Sequence, residues 1–268
     1  MQTLECGDTI PDDKRAFYER CIDILREAEL EFLVGGAYAI ELYTGLRRPT
    51  KDFDIFMQRE DIERALAMLD AHGYRAEFTY PHWLAKAFDG EHFIDIIHSS
   101  GNGVAPVDDV WFEYARTGIV FDRPVLLCPP EESIWSKAFI MERERYDGAD
   151  IAHLIESRGP ELDWRRLLQR FGPHWRVLFA HLILVGYIYP SRRDVVPAWL
   201  MRTLCERLAA EVNDAPVPHE VCRGTVLSRA QYLADLAAGE FADGRLAPWG
   251  LMTTEDIEHW TRAIEKEK

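Results

Sequence analysis

Hydrophobic and polar positions repeat with two different periods in the first half of the chain. Apolar residues at helical spacing, separated by charged residues, predict helices at residues 12–30, 37–43 and 59–72. Short apolar runs predict strands at residues 31–34, 53–57 and 74–80. Gly45 and Gly73 follow the second and third helices, where a glycine commonly closes the last turn. Strands and helices therefore alternate in this part of the chain.

A hairpin follows these elements. Residues 83–88 and 91–99 are rich in apolar side chains, and they flank Asp89-Gly90, a dipeptide that favours a two-residue turn. Asp95 therefore falls in the middle of the second strand. Residues 100–107 include glycine, asparagine and proline, which indicates a loop.

The pattern changes at Pro129-Pro130, after which strand signals largely vanish. Apolar residues at helical spacing predict helices at residues 131–144, 150–157, 164–171, 174–187, 195–211, 227–238 and 254–266. Thr253 and Thr254 provide a cap for the last helix. We predict an α/β (α+β) domain over residues 1–128, followed by an all-helical domain over residues 129–268.

Composition limits the classes of partner. The 268 residues are 47% hydrophobic, enough for a core, and the formal net charge is −15. An acidic chain argues against general DNA or RNA binding, because phosphate contacts require a basic surface. The five cysteines are odd in number and widely spaced, so we expect a reduced cytoplasmic protein without disulfides or structural zinc. Residues 1–11 lack a signal pattern, and the most apolar stretch, 177–189, is too short to span a bilayer.

Three local patterns point to chemistry, and the first is Gly35-Gly36, between a predicted strand and a predicted helix. Glycines at such a position let a phosphate approach the backbone closely. The start of the helix also presents free N–H groups and a positive dipole end to an anion. By itself, however, a glycine pair more often marks only a tight turn.

The second pattern is the pair Asp52 and Asp54 on either side of Phe53. Residues two apart on a strand point the same way, so the two carboxylates share one face. Carboxylates this close repel each other unless a cation lies between them, and oxygen ligands of this kind suit Mg²⁺. The alternative interpretation is a solvated acidic start of a strand.

The third pattern is Asp95, which interrupts the otherwise apolar run Phe93-Ile94-Asp95-Ile96-Ile97. Burying an ionised carboxylate without a partner is costly. Isoleucines fill one face of this strand, and apolar side chains flank Asp95 on the other. This arrangement favours a bound metal over the alternative, a half-exposed strand with Asp95 in water.

The order strand, Gly-Gly, helix, Asp-x-Asp strand and lone strand aspartate resembles the DNA polymerase β-like nucleotidyltransferase superfamily. The resemblance covers residues 30–100 and is most specific over residues 32–57, which include VGGAYAIELYTGLRRPTKDFDIFM. The second half resembles abortive-infection-type and uncharacterised bacterial nucleotidyltransferases, which carry a lysine on a helix and then an Arg/Lys-Asp-x-x-Asp segment. Here these features are Lys137 and the segment Arg145-Tyr146-Asp147-Gly148-Ala149-Asp150.

Two positions depart from the patterns of similar families. The CCA-adding enzymes follow Val-Gly-Gly-Ala with an Arg-Asp pair, whereas this chain has Tyr38-Ala39. That difference, together with the acidic charge, counts against a role in tRNA end repair. The usual Gly-Ser of the superfamily is Gly35-Gly36 here, so backbone N–H groups would replace a serine hydroxyl as phosphate ligands.

The resemblance implies a small mixed sheet of the nucleotidyltransferase type with flanking helices, and a metal-dependent reaction. In that reaction a nucleoside monophosphate moves from a nucleoside triphosphate to an acceptor hydroxyl, and pyrophosphate is released. The resemblance further implies two Mg²⁺ ions bridged by Asp52 and Asp54. Asp95 would complete the ion that activates the acceptor and would act as general base. Gly35 and Gly36 would hold the β- and γ-phosphates.

Basic side chains near these motifs allow two interpretations. Lys137 is either a triphosphate contact or a solvated charge on a helix. Arg47, Arg48 and Lys51 form a basic cluster close to the aspartates in sequence. They either bind phosphate, Lys51 above all, or neutralise Asp52 and Asp54.

Several other polar residues are interpreted as structural. We expect His98 to be a surface histidine at the end of its strand, facing away from Asp95. His174 and His181 are expected to serve helix packing, because a third metal ligand is not in view. Asp147 and Asp150 are interpreted as surface or structural acids rather than as part of the acceptor side of a cleft.

The acceptor stays open among three classes: a small molecule, a tRNA or a protein. A small-molecule enzyme of the antibiotic-modifying kind would suit the acidic charge, because a cationic aminoglycoside is attracted to an acidic cleft. A toxin-type enzyme acting on tRNA or protein would work beside a cognate antitoxin. A third alternative is a non-catalytic nucleotide-binding protein, against which the three intact carboxylates argue. None of these alternatives involves a membrane.

Overall fold

The computed structural model describes residues 10–215 and 220–266, with side chains described up to residue 262. It divides into two compact units, Met1–Pro129 and Pro130–Lys268. The assignment of domains to residues 1–128 and 129–268 stays a prediction, because compact packing alone does not establish independent folding. Among the described residues, each helix is too short or too polar to cross a membrane. Four cysteines are free thiols, and Cys6 lies outside the described residues.

The first unit contains both helices and strands. In chain order, they are α1 (Asp12–Glu27), β1 (Leu33–Val34), α2 (Gly36–Thr44), β2 (Asp54–Phe56), α3 (Ile62–Ala71), β3 (Arg75–Tyr80), β4 (Leu84–Asp89), β5 (His92–Ile97), α4 (Asp109–Glu113), β6 (Arg116–Val120) and β7 (Arg123–Leu127). Gly45 and Gly73 close α2 and α3 with positive φ values of 73° and 90°, as the sequence predicts.

The strands form one seven-stranded mixed sheet in the order β3-β4-β5-β2-β1-β7-β6. The pairs β2/β5 and β1/β7 are parallel, and the other neighbours are antiparallel. Strands β2 and β5, together with Phe53 just before β2, supply core side chains: Phe53, Ile55, Ile94 and Ile96 are at most 1% exposed. The predicted mixed sheet with flanking helices is therefore confirmed.

The hairpin β6–β7 has no counterpart in the sequence prediction. Pro124 interrupts the apolar run of β7, and proline removes a backbone donor from a strand. The turn, Phe121-Asp122, lacks glycine and asparagine, although both residues have positive φ values of 52° and 59°. Arg123 holds this hairpin to α1 through Asp23, at 2.9 Å.

The β4–β5 turn lies one residue beyond its predicted position. Asp89 pairs with His92, so the two turn residues are Gly90 and Glu91 rather than Asp89 and Gly90. Gly90 takes the positive φ, 58°, that the first position of such a turn favours. The predicted placement at Asp89-Gly90 is wrong, and every cross-strand pair of the hairpin shifts with it.

The second unit is mainly helical. In chain order, its elements are α5 (Pro130–Lys137), α6 (Gly148–Arg158), α7 (Trp164–Phe171), α8 (Trp175–Ile188), α9 (Ala198–Val212), β8 (Val221–Cys222), α10 (Gly224–Leu227), α11 (Leu233–Ala237), β9 (Ala242–Asp243) and α12 (Thr254–Lys266). Thr253 caps α12, because its hydroxyl accepts from the Asp256 N–H at 3.1 Å.

Three features of this unit differ from the sequence prediction. The helix predicted over 131–144 ends at Lys137. Within the helix predicted over 227–238, only α11 (Leu233–Ala237) forms, because α10 already ends at Leu227. The Ser228 hydroxyl bonds to Glu142 and accepts from the Gln231 N–H at 3.2 Å, which stabilises a turn instead of a continuous helix. In addition, β8 and β9 form a short parallel pair, so the unit is not wholly helical.

A buried ion-pair network joins α5 to α7. Arg166 lies 2.7 Å from Glu131 and 2.5 Å from Glu132, and Arg170 lies 3.1 Å from Glu132. The two glutamates are at most 2% exposed. Burial raises the pKa of Glu132 in spite of the arginines, so this carboxylate depends strongly on its partners.

Replacing Arg166 with methionine should lower the free energy of unfolding by about 3–5 kcal/mol, because two buried carboxylates would lose their shared partner. The exposed neighbour Arg165, replaced in the same way, should cost less than about 1 kcal/mol. Urea unfolding followed by circular dichroism measures both losses. Equal losses for the two variants would contradict a stabilising role for the network.

Candidate functional site

The acidic strand β2 is anchored by its apolar face. Phe53, Ile55 and Met57 are at most 1% exposed, so their side chains are fixed in the core. Because side chains alternate along an extended chain, Asp52 and Asp54 lie on the opposite face. Both are only partly exposed. This alternation is the reason that the two aspartates share one face, as the sequence predicts.

The parallel pairing of β2 with β5 places Asp95 beside the other two aspartates. Asp54 and Asp95 are direct partners in the β2/β5 register, and the Asp95 N–H donates to the Phe53 carbonyl at 3.0 Å. One carboxylate oxygen from each of Asp52, Asp54 and Asp95 lies within 4.8 Å of the others. Two segments about forty residues apart in sequence therefore place their acids in one cluster.

A layer of buried aromatic rings surrounds Phe53. The ring centroids of Tyr18, Tyr38 and Phe121 lie 5.0, 5.2 and 5.6 Å from that of Phe53. Burial and, after it, the negative charges of the three clustered aspartates raise the pKa of the Tyr18 hydroxyl. The cluster therefore creates a local negative field that a cation would relieve.

Neighbouring polar groups hold two of the carboxylates. The Thr50 hydroxyl donates to Asp52 Oδ1 at 2.6 Å. Lys86 Nζ lies 2.6 Å from Asp95 Oδ1, and the two residues are direct partners across the β4/β5 pair. Thr50 and Lys86 were not among the residues predicted from the sequence.

The register of the hairpin is the signal that identifies Lys86. A turn at Asp89-Gly90 pairs Lys86 with Phe93, whereas the observed turn at Gly90-Glu91 pairs it with Asp95. An error of one residue in the predicted turn therefore hides the contact between Lys86 and Asp95. The charge within the apolar run Leu84-Ala85-Lys86-Ala87-Phe88 is visible in the sequence, but its partner is not.

Gly35 and Gly36 lie between β1 and α2, as predicted, and each is required for a steric reason. A Cβ on Gly36 would lie 1.8 Å from Asp54 Oδ2, and the φ of Gly36 is +54°. A Cβ on Gly35 would lie 2.3 Å from the Phe56 ring. The Gly35 N–H donates to the Asp54 carbonyl at 3.0 Å. It is therefore already used in the sheet, and any anion at this helix start would meet later N–H groups.

The three basic residues that precede Asp52 in the sequence, Arg47, Arg48 and Lys51, have different surroundings. Arg47 Nε lies 2.6 Å from Oε1 of the buried Glu41 on α2. Lys51 is exposed, and its carbonyl accepts from Lys14 Nζ at 2.8 Å. Arg48 is exposed as well. A phosphate role for Lys51 stays a prediction.

Lys137 belongs to the second unit, where it is part of an ion cluster. Its Nζ lies 2.7 Å from Asp147 Oδ2 and 3.0 Å from Asp150 Oδ2. Burial acts to lower the pKa of Lys137, but the two carboxylates outweigh it and raise the pKa overall. The interpretation of Lys137 as a solvated charge is therefore wrong. Asp147 and Asp150, whose side chains are 10% and 5% exposed, are structural rather than surface acids.

His98 differs from its predicted surface position. It is 5% exposed, and burial lowers its pKa to about 4. The reason is the strand period: His98 follows Ile94 and Ile96 on the core face, which does turn it away from Asp95. In the second unit, buried His181 bonds to the Ala138 carbonyl at 2.9 Å, consistent with a packing role.

The chemistry of the aspartate cluster fits a divalent cation. All three ligands are carboxylate oxygens, the hard donors that Mg²⁺ and Mn²⁺ take in proteins. Their mutual distances allow one ion to contact all three. Three acids this close repel one another, so a cation also relieves an unfavourable interaction.

Several solved structures are similar to this chain. The antibiotic-resistance factor ANT(2'')-Ia is 18% identical over 75% of this chain and 96% of its own, with a TM-score of 0.37. The lincosamide antibiotic adenylyltransferase LnuA is 16% identical over 53% and 94%, with a TM-score of 0.37. An antigenic nucleotidyltransferase-like protein from Paracoccidioides brasiliensis is 14% identical over 69% and 94%, with a TM-score of 0.42. At these sequence identities and TM-scores, the similarity does not identify a substrate for this chain.

A search of curated proteins gave no match. A family model described as "Uncharacterised nucleotidyltransferase" matches residues 20–184, which is more than half of the chain and includes Gly35, Gly36 and the three clustered aspartates. The chain therefore belongs to this family of nucleotidyltransferases.

Proposed function

We propose that this transferase moves a nucleoside monophosphate from a nucleoside triphosphate to an acceptor hydroxyl in a reaction that depends on divalent metal ions. The observation that carries the proposal is the cluster of Asp52, Asp54 and Asp95, whose oxygens lie within 4.8 Å of one another in a chain of this family. A scaffold without a reaction to perform would have no need to gather three repelling charges.

In this proposal, Asp52 and Asp54 would hold the Mg²⁺ ions, and Asp95 would complete the set of ligands. Ions bound there would neutralise charge on the triphosphate and lower the pKa of the acceptor hydroxyl. The side chains are well suited to such ligation because β2 and β5 fix their backbones. The Thr50 hydroxyl, 2.6 Å from Asp52 Oδ1, restricts the rotation of that carboxylate.

Asp95 is proposed to accept the proton of the acceptor hydroxyl. The acceptor oxygen then attacks the α-phosphorus, the bond from that phosphorus to the bridging oxygen breaks, and pyrophosphate leaves. Transfer of this kind depends mainly on alignment and charge neutralisation. The rigid sheet register around Asp95 supports the alignment.

The start of α2 is the proposed contact for the β- and γ-phosphates. Gly35-Gly36 lets an anion approach the backbone, and the first-turn N–H groups after Gly35 lack partners within the helix. Lys51, exposed beside Asp52, is a proposed second contact. A triphosphate contact by Lys137 stays a prediction.

Changing Asp52, Asp54 or Asp95 singly to asparagine should reduce pyrophosphate release by about 100-fold or more, because each loss removes several kcal/mol of charge stabilisation. Circular dichroism should show an intact fold. The exposed Asp70 on α3, changed to asparagine, should leave the rate unchanged. Full activity in any one of the three site variants would contradict the role proposed for that residue.

Gly36→Ala should abolish activity, because the new Cβ would displace the Asp54 carboxylate. Gly45→Ala is the matched control, since Gly45 also has a positive φ but has open space where a Cβ would be. Both changes should cost about 1 kcal/mol of stability from backbone strain. If the two variants lost activity equally, strain rather than displacement of Asp54 would be the cause.

Incubation with each labelled triphosphate, Mg²⁺ and a cell extract should transfer label to one acceptor class: RNA, protein or small molecules. Chelation with EDTA should stop the transfer, and added Mg²⁺ should restore it, because without a bound cation the aspartates and the triphosphate are all negatively charged and repel one another. The Asp52→Asn variant serves as the blank. If no triphosphate gave labelled product or pyrophosphate under any condition, the proposed reaction would be contradicted.

A further inference from the structure

One row of side chains crosses four strands of the sheet beside the proposed metal site. The strand registers pair Asp54 with Asp95, Asp95 with Lys86, and Lys86 with Glu77. Residues that are direct partners in a sheet project from the same face. The row therefore contains two adjacent acids, a base and a third acid, and Lys86 is its one cationic member.

The position of Lys86 is fixed by two contacts. Its Nζ lies 2.6 Å from Asp95 Oδ1, and it also lies 4.0 Å from the centre of the Phe93 ring, which is two residues before Asp95 on the same face. The side chains of Lys86 and Asp95 are 19% and 14% exposed. Water therefore screens this pair less than it screens an ion pair on an open surface.

The contact has a consequence for cation binding. A divalent ion held by the aspartates needs oxygens of the same cluster, and Lys86 already contacts one oxygen of Asp95. Two positive charges that share a carboxylate repel each other. The Phe93 ring gives the ammonium a favourable contact that does not depend on Asp95, so Lys86 has a place to remain when a metal ion binds.

We propose that Lys86 is a positioning residue that sets the affinity of the site for divalent cations. It compensates the charge of Asp95 in the metal-free protein and competes with the incoming ion for that carboxylate. Asp52 and Asp54 would then bind the ion first. The ion would compete with Lys86 for the carboxylate of Asp95. This inference rests on the proposed function, because it presupposes that the three aspartates bind metal.

The test is titration of the full-length chain with Mn²⁺ alone, without nucleotide, by calorimetry and by electron paramagnetic resonance. Lys86→Met should bind Mn²⁺ about tenfold more tightly than the original chain, which corresponds to about 1.4 kcal/mol. Lys86→Gln, which keeps a hydrogen-bond donor but removes the charge, should also bind Mn²⁺ more tightly than the original chain. Lys86→Arg, which keeps the charge, should stay close to the original affinity.

Thermal unfolding gives a second readout that does not depend on activity. Without metal, Lys86→Met should melt at a lower temperature than the original chain, because the three carboxylates lose their compensating charge. Mn²⁺ at one fixed, saturating concentration should raise its melting temperature by more than it raises that of the original chain, because stabilisation of the folded state by a ligand grows with the logarithm of the ligand concentration divided by Kd. Lys86→Gln provides the same comparison if the methionine variant does not fold.

The outcomes separate this inference from the proposed function. If Asp52→Asn weakens Mn²⁺ binding but the uncharged Lys86 variants bind as the original chain does, or more weakly, the role of Lys86 is overturned and the metal site stands. If the original chain, Asp52→Asn and the Lys86 variants all fail to bind Mn²⁺, the metal site is wrong and the inference falls with it.

Discussion

The repulsion among three carboxylates is the constraint on which the site depends. Asp52, Asp54 and Asp95 are held within 4.8 Å by strand geometry, not by any attraction for one another. Alternation along the extended chain at the start of β2 sets the first two on one face, and the parallel β2/β5 register brings the third beside them. Four core side chains on or next to these strands, at most 1% exposed, keep the register fixed. Hydrophobic burial thus stabilises an arrangement that electrostatics opposes.

Several neighbouring residues follow from that constraint. Gly36 is glycine because any Cβ would collide with Asp54, so the helix start and the acidic strand are packed as one structure. Lys86 contributes the positive charge that a metal-free cluster needs, across the β4/β5 pair. The second unit handles its own buried charges in a similar way, with Arg166 between Glu131 and Glu132 and with Lys137 between two aspartates. In both units, therefore, positively charged side chains lie beside these acids.

The sequence was sufficient where a short-range pattern decides the structure. The period of two around Asp52 and Asp54, the apolar neighbours of Asp95 and the glycine pair all describe local geometry. Their order along the chain carries the family resemblance from which the mixed sheet was predicted. It was insufficient where partners lie far apart. A one-residue error in the turn conceals Lys86, and Pro124 hides a strand whose hairpin Arg123 ties to α1. The burial of Asp147 and Asp150 depends on Lys137, ten or more residues away, so no local pattern indicates it.

The most direct measurement is anomalous diffraction from crystals grown with Mn²⁺ and a non-hydrolysable nucleoside triphosphate analogue. We expect metal peaks bound by Asp52 and Asp54, one of them also bound by Asp95, with the triphosphate at the start of α2 beside Gly36. Oxygen-to-metal distances should be about 2.0–2.3 Å, the range of carboxylate ligands to small divalent ions. Metal bound away from these three aspartates, or nucleotide bound while the cluster holds no metal, would contradict the account.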